Sequence, residues 1–183
     1  MAHVLVPLAD GCEELEAVTV IDLLRRAGIN VVTASLKQGP VRASRGVVLV
    51  ADMTLDEALQ QDYDMVVLPG GLPGADYLDQ DQRIRELLVN MADSDRFTAA
   101  ICAAPKALAN AGILKGKRAT SYPGVLSGMD LPATEVEDVP VLQDGKVITS
   151  RGPGTAMDFS LTLIENLLGR DKRNEVEKGL VRA

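Results

Sequence analysis

Short runs of β-branched and aliphatic residues alternate with segments of helical periodicity from one end of this 183-residue chain to the other. That alternation constrains the fold more than any other feature. Strands joined by helical crossovers pair in parallel, and a parallel sheet needs helices on both faces to cover it. His3–Leu8 has the pattern of a buried strand, in which Pro7, lacking an N–H, is expected to end the pairing. Glu13–Ala27 follows with Leu15, Val18, Ile21 and Leu24 at helical spacing and Gly28 as a stop. Asn30–Ala34 is the second strand, and Val41–Ala43 with Val47–Val50 form a small excursion around Ser44-Arg45-Gly46.

Thr54 with Glu57 three residues on predicts a capping box and a short helix. Met65–Leu68 is a buried strand running into Pro69-Gly70-Gly71, and residues 81–93 form a helix. Thr98–Ile101 is a strand, followed by a helix over Ala103–Ala111 that Gly112 closes. Asp144-Gly145 turns a hairpin between Val139–Leu142 and Val147–Thr149. The last helix, Thr155–Leu168, opens behind Gly152-Pro153-Gly154 and stops at Gly169. The expected fold is therefore α/β, a three-layer sandwich with a mostly parallel sheet. No repeat or linker divides it, so residues 1–183 are expected to form one domain.

Composition narrows the function classes. A net charge of −7 disfavours a general nucleic-acid binder, which needs a basic face to displace counterions. Two cysteines cannot build a disulfide framework. The first ten residues lack a basic segment and meet Pro7 and Asp10 too early for a signal peptide. No apolar run approaches the ~18 residues of a membrane helix, so a cytoplasmic protein without membrane partners is the default expectation.

In parallel sheets ligands gather outside the carboxyl ends of the strands. The segments placed there are Ala9–Glu16, Pro69–Ala75, Cys102–Pro105, Tyr122–Pro123 and Arg151–Thr155. Ala99-Ala100-Ile101-Cys102-Ala103-Ala104-Pro105 sets a thiol where an apolar strand ends and a helix begins. Small neighbours permit a tight turn of the nucleophile-elbow kind, and a helix start favours thiolate. The competing reading is a buried structural cysteine, the reading preferred for Cys12. His3, the sole histidine, sits at the other end of the first strand, ~15 Å or more from Cys102, so no Cys-His dyad is available.

Carboxylates are the remaining partners. Glu13 and Glu14 are expected to be solvated charges at a helix start, whereas Glu16, followed by Ala17-Val18, can turn inward. A carboxylic acid kept protonated by burial can donate a hydrogen bond to a thiolate. Gly70 and Gly71, with the N–H of Ala103, can cradle an oxyanion, or the glycines can simply form a tight turn. No Gly-Lys-Ser/Thr phosphate loop and no Gly-x-Gly-x-x-Gly follows a strand, and no metal or cofactor site is expected.

Glu13-Glu14-x-Glu16, Asp22-Leu23-Leu24-Arg25-Arg26-Ala27-Gly28, Ser44-Arg45-Gly46, Val67-Leu68-Pro69-Gly70-Gly71, the Cys102 segment and Thr149-Ser150-Arg151-Gly152-Pro153-Gly154-Thr155 occur in this order along nearly the whole chain. As a set they resemble the ThiJ/PfpI superfamily, in the branch of bacterial YajL and the human Parkinson-disease-associated deglycase. The resemblance implies a flavodoxin-like sandwich and a homodimer. It also implies that Cys102 is an oxidisable nucleophile beside a protonated Glu16, with Gly71 and Ala103 contacting the oxyanion. Arg26 and Arg45 would lie near the dimer interface and cysteine pocket, and Pro153 lies in the matching pocket motif. Tyr122 departs from the histidine that several members carry, which leaves Cys102 with Glu16 as a two-residue set. The implied activity is a cofactor-independent glyoxalase or deglycase acting on methylglyoxal- or glyoxal-derived adducts. The alternative is a redox-sensing stress protein or chaperone that reads out oxidation of Cys102.

Overall fold

The computed structural model describes residues 1–182. Strand β1 (His3–Leu8) opens the chain, followed by helix α1 (Glu14–Arg26) and strand β2 (Asn30–Ser35). Two short strands, β3 (Val41–Arg42) and β4 (Val48–Leu49), pair antiparallel around a turn, and β5 (Met53–Thr54) leads directly into helix α2 (Leu55–Ala58). Strand β6 (Met65–Leu68), helices α3 (Gly74–Gln80) and α4 (Gln82–Asp93), strand β7 (Phe97–Ile101) and helix α5 (Pro105–Asn110) come next. A parallel ladder of β8 (Arg118–Ala119) with β9 (Glu135–Val136) precedes the hairpin of β10 (Val141–Asp144) and β11 (Val147–Ser150). Helices α6 (Ala156–Leu168) and α7 (Arg170–Gly179) follow.

Seven strands form one sheet in the order β10-β11-β7-β6-β1-β2-β5. Every neighbouring pair is parallel except the β10–β11 hairpin. The inner strands are apolar along their length because both of their faces are covered: all four residues of β6 and the last five of β1 are buried. Helices α1 and α6 pack on each other, α7 packs on α6, and α3 packs on α4 and α5. The expected three-layer α/β architecture is the one observed. The strand order reverses between β1 and β6, since the chain first builds outward through β2 and then returns to build through β7.

Local chemistry accounts for the element ends. The Glu13 carboxylate caps α1 by accepting the Glu16 N–H at 2.9 Å, and Arg25 and Arg26 occupy its last turn. The Thr54–Glu57 capping box forms as expected, with the Thr54 hydroxyl and backbone N–H both donating to the Glu57 carboxylate.

Several expectations need correction. Pro7 does not end pairing with β2, where the register continues through Leu8–Ser35; on the β6 side the pairs stop at Leu5–Val66. One ladder tolerates the missing N–H. The inward face of α1 is Glu16, Ala17, Val20, Leu23 and Leu24, while Leu15 and Val18 are exposed. The helix expected over Ala103–Ala111 is shorter, since Ala103 and Ala104 belong to the turn before α5. The hairpin strand expected over Val139–Leu142 lies two residues later. Helices α3 and α7 were not anticipated, because the first buries only Gly74, Ala75 and Leu78 and the second only Val176.

Candidate active site

The carboxyl ends of β1, β6 and β7 bring three loops together. Parallel pairing of β6 with β7 and of β7 with β11 sets Gly70 and Ser150 beside the end of β7. Cys102 is the next residue, its N–H donating to the Ser150 carbonyl at 2.9 Å and its carbonyl accepting the Tyr122 N–H at 2.8 Å. Pinned between these two bonds, it adopts φ +64°, a left-handed conformation rare for a residue with a side chain. The expected sharp turn is thus present. The residue is buried but not sealed, at 8% exposure, whereas Cys12 is at 0%.

Glu16 reaches this turn from the first turn of α1. Its side chain is wholly buried, and Oε2 accepts the Gly70 N–H at 2.8 Å. The other oxygen, Oε1, is buried without a settled hydrogen-bond partner of its own. Cys102 is the neighbouring side chain whose proton affinity this carboxyl shifts. Gly70 lets the three groups meet. A Cβ there would stand 2.5 Å from the Cys102 Cβ, 2.7 Å from Glu16 Oε2 and 2.8 Å from the Ile101 carbonyl. Gly71, at φ +85°, has no room either, since its Cβ would stand 2.3 Å from the Glu13 nitrogen. Loops 9–13 and 70–74 therefore interlock backbone to backbone, and the Glu13 N–H donates to the Gly70 carbonyl at 2.8 Å.

Burial pushes the Glu16 carboxyl up to about 7, against the pull of the Gly70 amide and the Cys102 side chain. Burial also leads in raising the Cys102 thiol, to about 12, followed by the charge and the close approach of the Glu16 carboxyl. The backbone amides of Gly71 and Ala103 act in the opposite sense, as donors toward the sulfur. A sulfur ionised simply by a helix start is therefore not what the surroundings produce. Helix α5 is only six residues long and begins three residues beyond Cys102. The two Glu16 contributions raise the thiol only while the carboxyl is charged; with its proton it becomes a donor to sulfur. Cys102 and Glu16 are best described as one unit that releases its first proton jointly. Burial and the Glu14, Glu13 and Asp10 charges push Cys12 up to about 12, and only its own backbone amide acts against them.

The other residues singled out from the sequence fall into two groups. Tyr122 lies at the site, its backbone bonded to Cys102 and its ring against Gly152, with 3.4 Å between Cδ2 and the position a Gly152 Cβ would take; Pro153 follows Gly152 in the short turn that leads into α6. Arg26 is not brought to the sulfur. It lies ten residues along α1 from Glu16, about 15 Å by helical rise, and pairs with Asp22 at 2.8 Å. Arg45 is exposed on the β3–β4 turn, and its backbone N–H donates to Glu14 at 2.8 Å. Glu14 itself is a correction. It is not a solvated charge but a buried carboxylate that also accepts the Ser44 hydroxyl at 3.0 Å, anchoring that turn to α1. Sequence reasoning missed this role and the contact of Gly70 with Glu16. The tandem glycines after a buried strand were the available signal for the second. Among the described residues no group of three or more His, Cys, Asp or Glu side chains is placed to hold a metal ion, and no helix is long and apolar enough to cross a membrane.

Residues 2–166 match the model of the DJ-1/PfpI family. Protein dj-1beta of Drosophila melanogaster is 43% identical over 178 residues, covering 97% of this chain and 95% of the fly protein. Its crystal structure superposes with a TM-score of 0.94, covering 100% of this chain and 98% of that one. Protein DJ-1 homolog B of Arabidopsis thaliana is 46% identical over 96% of this chain, which spans only 40% of the plant protein's length. A Caenorhabditis elegans relative named glutathione-independent glyoxalase DJR-1.2 is 35% identical over 98% of this chain and 95% of its own. With the fold, the family match and these relatives in agreement, the chain belongs to the DJ-1/PfpI family.

Proposed function

We propose that the protein is a cofactor-independent glyoxalase or deglycase, acting on methylglyoxal, glyoxal or the adducts they form, with Cys102 as nucleophile and Glu16 as the proton-moving partner. The observation that carries this reading is the convergence on one sulfur of a buried carboxyl shifted to about 7 and two backbone amides. A glyoxalase-named relative supports the reaction class. The Cys102 sulfur adds to the aldehyde carbon, and the new oxyanion lies against the Gly71 and Ala103 amides. Glu16 gives its proton to that oxygen. As a carboxylate it then removes the proton from the former aldehyde carbon and returns one to the neighbouring carbon, while the hydroxyl proton passes from the first oxygen to the second. The first carbon is oxidised to a thioester while the second is reduced to an alcohol, so no external oxidant enters. Water cleaves the thioester, releasing lactate from methylglyoxal and restoring the thiol.

The test is lactate release from methylglyoxal by the wild type, Cys102→Ala and Glu16→Gln. Loss of turnover in Cys102→Ala, and a fall of about a hundredfold or more in Glu16→Gln, are expected. Equal rates in wild type and Cys102→Ala, or none above buffer, overturn the reading. The working unit proposed is a homodimer joined through the exposed Leu15 and Val18 face of α1, an apolar stripe left uncovered in the single chain.

A second reading, a redox-sensing stress protein or chaperone, is favoured by the contrast between a slightly exposed Cys102 and a sealed Cys12. It predicts a peroxide-dependent gain of two oxygens at Cys102 at doses that leave Cys12 untouched, measured by mass spectrometry. Oxidation at neither cysteine removes it.

A further inference from the structure

A cavity of about 400 Å³ lies outside the carboxyl ends of β1 and β2, on the α3 side of the strand-order reversal, and shares no residue with the Cys102 site. Its volume falls in the range of small-molecule sites, and it lies on the ligand-binding edge of the sheet, beyond the carboxyl ends of two strands and one strand pair away from the reversal at β1 and β6. Leu8, Leu36 and Val41 give it an apolar lining, and Tyr77, 46% exposed, supplies an aromatic wall.

The charges on this lining differ in how they are held. Asp10 is fixed by backbone: Oδ1 accepts the Arg42 N–H at 3.0 Å. Its other oxygen pairs with the Lys37 ammonium, and these two contacts hold its carboxyl below the usual carboxylate range. Asp81 is already satisfied by Arg83, whose guanidinium donates to it at 2.6 and 3.0 Å. Lys37 alone is loosely placed. Its side chain is 68% exposed, and Asp10 is the only ion-pair partner it has among the described residues. The cavity thus presents one immobile carboxylate beside an apolar surface and an aromatic ring. The cation now on that carboxylate sits on a flexible tether shared with solvent.

We propose that this cavity binds a small organic amine, a protonated primary amine on a compact apolar body, whose ammonium displaces that of Lys37 from Asp10. The body covers Leu8, Leu36 and Val41, and the ammonium end lies near the Tyr77 ring, an arrangement that favours cations. A carboxylate ligand fits poorly, because drawing Lys37 to itself would leave Asp10 without its cation at 33% exposure. The chain's net charge of −7 further favours a cation. This inference is independent of any activity at Cys102.

Three probes that share a ring and differ in charge test it: benzylamine, benzyl alcohol and benzoate, titrated into the full chain and followed by backbone amide NMR shifts. Benzylamine is expected to give saturable shifts at Asp10, Lys37 and Tyr77, with benzyl alcohol weaker and benzoate weaker still. Lys37→Met removes the internal competitor while keeping its apolar stem, and is expected to tighten benzylamine binding severalfold. Asp10→Asn is expected to weaken it roughly tenfold, the scale of one charge-assisted hydrogen bond. Benzoate binding as well as benzylamine, no saturable shifts at these three residues, or unchanged or weaker benzylamine binding in Lys37→Met would each overturn the proposal. Lys37→Met alters only an exposed arm, so its result decides the matter even if Asp10→Asn disturbs the loop.

Discussion

Glu16 ties the stability of the fold to pH in the opposite sense to an ordinary paired carboxylate. Its folded pKa of about 7 stands above the ordinary 4.5, so the folded state keeps a proton that the unfolded chain releases between those values. The contribution is complete below about pH 4.5 and is lost as pH rises through 7, by about 3 kcal/mol over that window. Glu16→Gln should flatten this slope, which chemical denaturation at a series of pH values will measure. In the proposed mechanism the same pairing sets reactivity. Alkylation of Cys102 by iodoacetamide should show an inflection near 7 in the wild type, where the pair loses its first proton, and none there in Glu16→Gln. Identical profiles would mean that the carboxyl and the sulfur titrate independently.

At the scale of elements, capping and burial set what each segment can tolerate. Thr54→Ala removes a capping box whose hydroxyl and carboxylate satisfy each other, and should cost about 1 kcal/mol in an unfolding titration. Gly71→Ala puts a methyl group into the Glu13 backbone at a left-handed position and should cost about 3 kcal/mol or prevent folding, read by the same titration. Such local signals were legible in the sequence. Thr54 with Glu57 is a recognisable pair, and β6 and β7 announce themselves because buried parallel strands carry almost only apolar residues. Helix α1 was harder. Its inward stripe contains Glu16, and its outward face carries Leu15 and Val18, so periodicity alone selects the wrong side. Helix α7, which is polar apart from Val176, offers no periodic signal, because its packing against α6 needs so little apolar surface.

At the scale of the whole molecule, the arrangement of the site follows from topology more than from any one motif. Residues 16, 70 and 102 meet because β6 lies between β1 and β7, an adjacency that strand order decides. The alternation of strands and helices foretold which loops would share an edge. The helix read over Glu13–Ala27 already set Arg26 at the far end from Glu16, but the alternation could not tell that the environment of Cys102 would raise its proton affinity, since that depends on three-dimensional distance. Association belongs to this scale as well. Val18→Asp places a charge on the exposed stripe of α1 and should convert the proposed dimer to monomer, as light scattering over a range of concentrations will show.

The left-handed backbone at Cys102 has a consequence for how the protein can change. Only glycine adopts φ +64° without steric penalty, so the thiol is carried at a position where any side chain works against the fold. Replacement by alanine silences the sulfur and keeps that tension; replacement by glycine silences it and lets the tension go. Of the two variants the glycine one should be the hardier, so a cysteine at this position is carried at a cost in stability that the proposed chemistry would have to outweigh.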